Sequence, residues 1–226
     1  MKKTFICCMT AILTLCLLCF TASAFTFEVL DNDQLFDETL KQKETVSDWA
    51  VDGVNAARAA GLIPALSGTP GYQDTITREQ FAELVVQTVT VLCGAPDAAP
   101  AGTFTDTSNP VILQAYQTGI VSGVGDQKFA PAQTTNREQI AVMIARAAAY
   151  IKAETGVDLA PAAADIGKYT DKEEVSAWAV DGVGTLAANG IMAGTSATTL
   201  SPKASCTVEQ SILLLYRVYD ACQKAA

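Results

Sequence analysis

The stretch Ile76-Thr77-Arg78-Glu79-Gln80, which leads into the apolar run from Phe81 to Leu92, decides the fold because it returns twice. Thr135-Asn136-Arg137-Glu138-Gln139 leads into a second apolar run at Ile140, and Cys206-Thr207-Val208-Glu209-Gln210 into a third around Ile212. A glycine followed by two apolar residues precedes each motif. Gly61 stands 17 residues ahead of Arg78, and Gly119 and Gly190 each stand 18 ahead of Arg137 and Val208. The hexapeptide Trp49-Ala50-Val51-Asp52-Gly53-Val54 recurs unchanged as Trp178-Ala179-Val180-Asp181-Gly182-Val183. Self-similarity at a fixed spacing settles architecture ahead of any single residue, because each unit buries its apolar face on its neighbours.

Each unit reads as helix, turn, helix. In the first, Val46, Trp49, Ala50, Val54 and Ala57 fall at helical spacing, and Gly61 supplies the stop. The long second helices are apolar on most faces, through Phe81, Leu84, Val85 and Val89, through Ile140 to Ala148, and through Ile212 to Val218. A helix apolar all round is a buried one. The expected fold is therefore mainly α, a central bundle of three long helices with the shorter ones outside.

Thr77 with Gln80 forms a capping box, and Asn136 with Gln139 and Thr207 with Gln210 repeat it. Capping accounts for those residues but not for the arginine between them. A cation in the first turn opposes the helix dipole, yet Arg78 and Arg137 both stand there, with Glu79 and Glu138 beside them. Two readings stay open: a structural ion pair, or an anion site built from free helix N–H groups and a guanidinium. Trp49 and Trp178 sit at apolar helical positions, which favours a core anchor; a flat platform for a sugar ring is the other reading.

Composition bounds the rest. The 226 residues carry 15 Lys and Arg against 24 Asp and Glu, a net charge of −9, which repels nucleic acid and anionic lipid surfaces. The chain has no histidine, removing the commonest general base and metal ligand. No acid–base pair of carboxylates stands out. We expect neither catalysis nor a cofactor or metal site. Lys2 and Lys3, the apolar run Phe5 to Phe20 and Ala22-Ser23-Ala24 read as a cleaved secretory signal over 1–24, with no membrane association after cleavage. Residues 25–45 read as a leader. Beyond the signal, Cys93, Cys206 and Cys222 make an odd count, which is no disulfide framework.

Taken together, these motifs resemble the S-layer homology family over nearly all of the chain beyond the signal. The diagnostic pieces are Trp-Ala at 49–50 and 178–179, the Gly119 to Gly123 turn, Phe129-Ala130-Pro131, Thr77-Arg78-Glu79, and the opening Phe104-Thr105-Asp106 and Tyr169-Thr170-Asp171. The resemblance implies repeats over 46–93, 104–152 and 165–222, arranged pseudo-threefold about the bundle. It also implies noncovalent attachment to an anionic secondary cell-wall polysaccharide, often pyruvylated, at the bacterial cell wall or surface layer. It points to Arg78 and Arg137, with Glu79 and Glu138, as ligand-binding residues; Trp49, Trp178, Asp106 and Gly123 complete the candidate set.

The departures are specific. Val208 replaces the third arginine, the second unit has no tryptophan and a shortened first helix after Pro110, and Pro64-Ala65 replaces the glycine ending of the first turn. At most two working grooves follow. The alternative is a structural or interaction protein of the surface coat whose repeats no longer bind sugar; another secreted or surface-layer protein is then the partner.

Overall fold

The computed structural model describes residues 45–225, so the signal and nearly all of the leader lie outside the described residues. The described chain is helical, and only isolated bridges, with no strand, occur among these residues. The first unit holds α1 (Val51–Ala59) and α2 (Arg78–Cys93). The second holds α3 (Pro110–Gln117) and α4 (Arg137–Thr155), and the third α5 (Val180–Ala188) and α6 (Val208–Ala225). Helix α4 runs to Thr155, past the expected end of the second repeat at 152, and Gly156 at φ 78° then stops it in the left-handed conformation.

The long helices α2, α4 and α6 contact one another and carry most of the core, including Phe81, Val85, Ile140, Ile144, Ile212 and Leu215. Each short helix lies on the long helix of the unit before it in a cycle: α3 on α2, α5 on α4, and α1 on α6. The repeated hexapeptide contributes to the last two packings. A β-carbon on Gly182 would meet Val142 at 2.9 Å, and one on Gly53 would meet Leu213 at 2.1 Å. Glycine lets α5 approach the backbone of α4, and lets α1 approach α6 without displacing the Leu213 side chain.

Backbone hydrogen bonds join the three helix starts in the same cyclic order. Arg78 N–H donates to Gln133 C=O, Arg137 N–H to Ala204 C=O, and Val208 N–H to Asp74 C=O. One residue on, Glu79 donates to Pro131, Glu138 to Pro202, and Glu209 to Tyr72. The first unit thus binds the second, the second the third, and the third the first. The three capping boxes are formed as expected, each with its reciprocal Gln bond.

Two expectations need correction. The first-turn amides of these helices are not free for an anion, because loop carbonyls of the next unit and the capping side chains take them. The tryptophans are not core anchors either. Helix α1 starts only at Val51, after a turn over 48–50, and α5 follows a short 3-10 segment, Ala177–Ala179. Trp49 and Trp178 precede the regular helices and stay 61% and 58% exposed, while their neighbours Ala50 and Ala179 take the buried places.

Candidate functional site

Two grooves open at the joints between units, and they are built from matching residues. The first, about 180 Å³, is lined by Arg78, the turn Val121 to Val124, Gln139, Val142, Met143, Arg146 and Trp178. The second, about 310 Å³, is lined by Arg137, Ala193-Gly194-Thr195, Gln210, Leu213, Leu214, Arg217 and Trp49. Position for position, Arg137 answers Arg78, Gly194 answers Gly123, Arg217 answers Arg146, and Trp49 answers Trp178. Each groove draws on all three units. These volumes lie at or below the small end of roughly 300–1,000 Å³ for small-molecule sites, which suits a shallow contact better than an enclosed cofactor cavity.

The inner arginine of each groove is fastened to backbone. Arg78 is 9% exposed and donates from Nε to Phe129 C=O at 3.0 Å and from Nη2 to Ser122 C=O at 3.1 Å. Its Cζ also lies 4.7 Å from the centre of the Phe129 ring. Arg137 repeats the pattern, from Nε to Leu200 C=O at 2.9 Å and from Nη2 to Ala193 C=O at 2.6 Å. Burial pushes the Arg78 pKa down, and Asp106 works against that shift. The carbonyl bonds explain how a first-turn cation is tolerated: the guanidinium reaches away from its own helix start to saturate the next unit's loop.

The outer arginines, Arg146 and Arg217, are exposed at the groove edge, one full face along the long helix. Arg217 also donates from Nη1 to Ile191 C=O at 3.2 Å. Sequence reasoning missed both. The signal was present: Arg146 stands nine residues after Arg137, and Arg217 nine after Val208.

Gly123 lies in the first groove's turn, where a β-carbon would sit 2.9 Å from Lys128 C=O and 3.1 Å from the Phe104 ring. Gly194 is tighter still, with Thr199 C=O at 2.3 Å and the Tyr169 ring at 2.8 Å. These glycines bring the turn backbone down onto the aromatic residue that opens the unit.

Glu79, Glu138 and Asp106 fall outside the groove linings and hold the framework instead. The acid after Arg78, Arg137 and Val208 grips the start of the next unit in each case. Glu138 accepts from Ser176 N–H at 2.9 Å, from its hydroxyl at 3.0 Å, and from Lys203 Nζ. Glu209 accepts likewise from Ser47 N–H and hydroxyl, and Glu79 accepts from Asn109 Nδ2 at 3.0 Å. Burial tends to raise the Glu138 pKa, but the bonds from Lys203 and Ser176 outweigh it and hold the group below its ordinary value. Asp106 accepts from Phe129 N–H and Ala130 N–H, both at 2.8 Å, and chiefly the Phe129 bond holds its pKa down. Asp171 does the same for Leu200 and Ser201. The aromatic-x-Asp motif is thus a clamp on the loop whose carbonyl the inner arginine reads.

No carboxylate lines either groove among the described residues, so each presents two guanidiniums, an exposed indole and a turn backbone. No group of His, Cys, Asp or Glu suited to a metal occurs among these residues, and no described helix is long and apolar enough to cross a membrane.

Known proteins are similar to this chain in sequence. An endoglucanase of Bacillus sp. (strain KSM-635) is 28% identical over 194 residues, covering 84% of this chain and 19% of that protein. Exoglucanase XynX of Acetivibrio thermocellus is 23% identical over 80% of this chain and 17% of its own length. An amylopullulanase of Thermoanaerobacterium thermosulfurigenes is 26% identical over 55% of this chain and 7% of its own length. The chain therefore spans less than a fifth of the length of the relatives it matches. The family model for the S-layer homology domain matches residues 104–141 and 168–207, which hold α3 with the start of α4 and α5 with the loop before α6. The S-layer homology domain is thus recognised in this chain at these two segments.

Proposed function

We propose that this chain is a noncatalytic anchor that attaches to an acidic secondary cell-wall polysaccharide, pyruvylated or otherwise carboxylated, through its two matching grooves. The observation that carries this reading is the same assembly made twice: a fastened inner arginine, an exposed outer arginine, an exposed tryptophan and a glycine turn. In a protein of net charge −9, paired guanidiniums with no lining carboxylate form a local exception that favours an anion. The inner arginine shapes the groove floor, because its Nε and Nη2 are committed to carbonyls. The outer arginine is the freer cation for a carboxylate, and the indole face suits the apolar side of a sugar ring.

The test is cosedimentation of the chain, freed of its first 24 residues, with purified sacculi before and after chemical removal of the secondary polysaccharide. Binding that vanishes with the polysaccharide is the expected result. Equal binding to both preparations, or to neither, overturns the reading. Under the second outcome the chain is an interaction protein of the surface coat, a reading favoured by Val208 in place of a third arginine. The named activities of the relatives give no reason to assign catalysis to this chain, since most of their length lies outside the match.

A further inference from the structure

The cycle has three joints, and the third keeps the glutamine of the two matching grooves, Gln80 for Gln139 and Gln210, but exchanges the arginines and the turn glycine that build them. It lies where α6 of the third unit meets the turn of the first unit and α2. Val208 stands where Arg78 and Arg137 stand, Ala65 where Gly123 and Gly194 stand, and Gln87 where Arg146 and Arg217 stand. The most telling exchange is Glu83, which occupies the helical position of Val142 and Leu213. A carboxylate has entered a joint whose two counterparts have none in their lining.

Glu83 is 6% exposed and fully engaged. It accepts from Ser67 N–H at 2.9 Å, from the Ser67 hydroxyl at 2.5 Å, and from Asn109 Nδ2 at 2.9 Å. Asn109 caps α3 with its Oδ1 and gives its second amide bond to Glu79, so the bonds tie α2 to both the first turn and the second unit. Neutral amides finish the joint: Gln80 donates to Ser67 C=O at 2.8 Å and Gln87 to Gly61 C=O at 2.7 Å. No cation remains among these contacts, and a buried anion is already in place. A second anion entering here would face like charge without a compensating guanidinium.

We infer that the third joint is a permanent clasp in which Glu83 takes the part a bound carboxylate plays in the two open grooves. One chain then holds two anionic ligands and excludes a third. The two-ligand part rests on the proposed sugar-binding function; the clasp itself does not.

Both parts are tested on the uniformly 15N-labelled chain beginning at residue 25. The probe is a soluble N-acetylhexosamine bearing a ketal-linked pyruvate, titrated while the amides of Gly123, Gly194, Ala65 and Ser67 are followed. Saturable shifts at Gly123 and Gly194 with none at Ala65 or Ser67 are expected. A saturable shift at Ala65 or Ser67 overturns the exclusion. Silence at all four overturns the two-ligand part together with the sugar reading.

The clasp is judged separately by hydrogen exchange without probe. The Ser67 amide is expected to exchange at least tenfold faster in Glu83→Val than in the parent chain, with the Gly123 amide unchanged. Asn109→Ala, which leaves the Glu83 side chain in place, serves if Glu83→Val does not fold, and at least a threefold rise at Ser67 is then expected. An unchanged Ser67 rate in a folded variant overturns the clasp.

Discussion

Gly182 lies so near Val142 that a β-carbon added to it would sit 3.1 Å from the Val142 Cα as well as 2.9 Å from its Cγ2. The partner contact, Gly53 on Leu213, is shorter at 2.1 Å but involves only a terminal methyl. Backbone yields less readily than a side-chain tip. Gly182→Ala should therefore cost the more stability, about 1–3 kcal/mol of overpacking, and Gly53→Ala less. Urea denaturation of the two variants checks the order. Because Leu213 lines the second groove, Gly53→Ala should also weaken wall binding by displacing that side chain.

The inner and outer arginines should separate stability from binding. Arg78→Ala or Arg137→Ala leaves two loop carbonyls without their guanidinium donor, and a decrease of about 1–3 kcal/mol in unfolding free energy is expected. Arg146→Gln lies on an exposed side chain and should leave thermal stability nearly unchanged. Its effect should fall on sacculus binding, by roughly ten- to a hundredfold if one charged hydrogen bond of about 1.5–3 kcal/mol is lost. Equal losses of stability at inner and outer positions would contradict this division.

The make-up of the grooves predicts which substitutions interact. Trp178 shares a groove with Arg146, and Trp49 shares one with Arg217. Measured by binding to sacculi, Trp178→Ala with Arg146→Gln should be non-additive, whereas Trp178→Ala with Arg217→Gln should approach additivity once avidity is removed by soluble fragments. The exposed indoles should also give red-shifted emission that moves to the blue on binding.

Acid should loosen the joints. The Glu138 and Asp171 pKa values lie below their ordinary values; burial opposes this in each, and the Lys203 and Ser176 bonds, or the Leu200 and Ser201 amides, prevail. A depressed carboxylate contributes stability that is complete above its unfolded pKa, roughly 4, and fades as pH falls through the folded value. Melting temperature should be flat from neutral pH toward that range and then fall. Glu138→Gln should lower it at neutral pH, by roughly 1–2 kcal/mol in free energy since Lys203 is half exposed, and should soften the acid slope.

The thiols should be quiet. Cys206 is fully buried and Cys222 nearly so, and burial raises the pKa of both. Cys93 is half-buried with its pKa raised, first by burial and then by Cys222. Reaction with a thiol reagent at neutral pH should be slow in the native chain and prompt on denaturation. Immediate labelling of all three would contradict this burial.

The helical plan was legible because apolar periodicity, capping boxes and stop glycines are local signals that Phe81 to Leu92 or Asn136 with Gln139 display without help. The arginines were found because they broke the dipole rule. What escaped were relations between units. Nothing local says that Glu138 reaches Ser176, or that loop carbonyls from residues 131 and 133 take the amides that looked free at Arg78 and Glu79. Trp49 misled because its spacing matched a helix that starts two residues later. Arg146 and Arg217 were visible to a closer alignment of the repeats, each standing nine residues into its long helix.

The closed circuit of helix-start hydrogen bonds sets this chain apart from an open stack of repeats. An open stack has two ends, needs capping units there, and lengthens by duplication of any member. In a ring, every unit already has both neighbours, and an inserted fourth would have to break a joint to enter. Stronger attachment is therefore not reached by adding single units to this circuit. Under the proposed function it requires a second complete ring, so that gains in grip come in steps of two grooves rather than one.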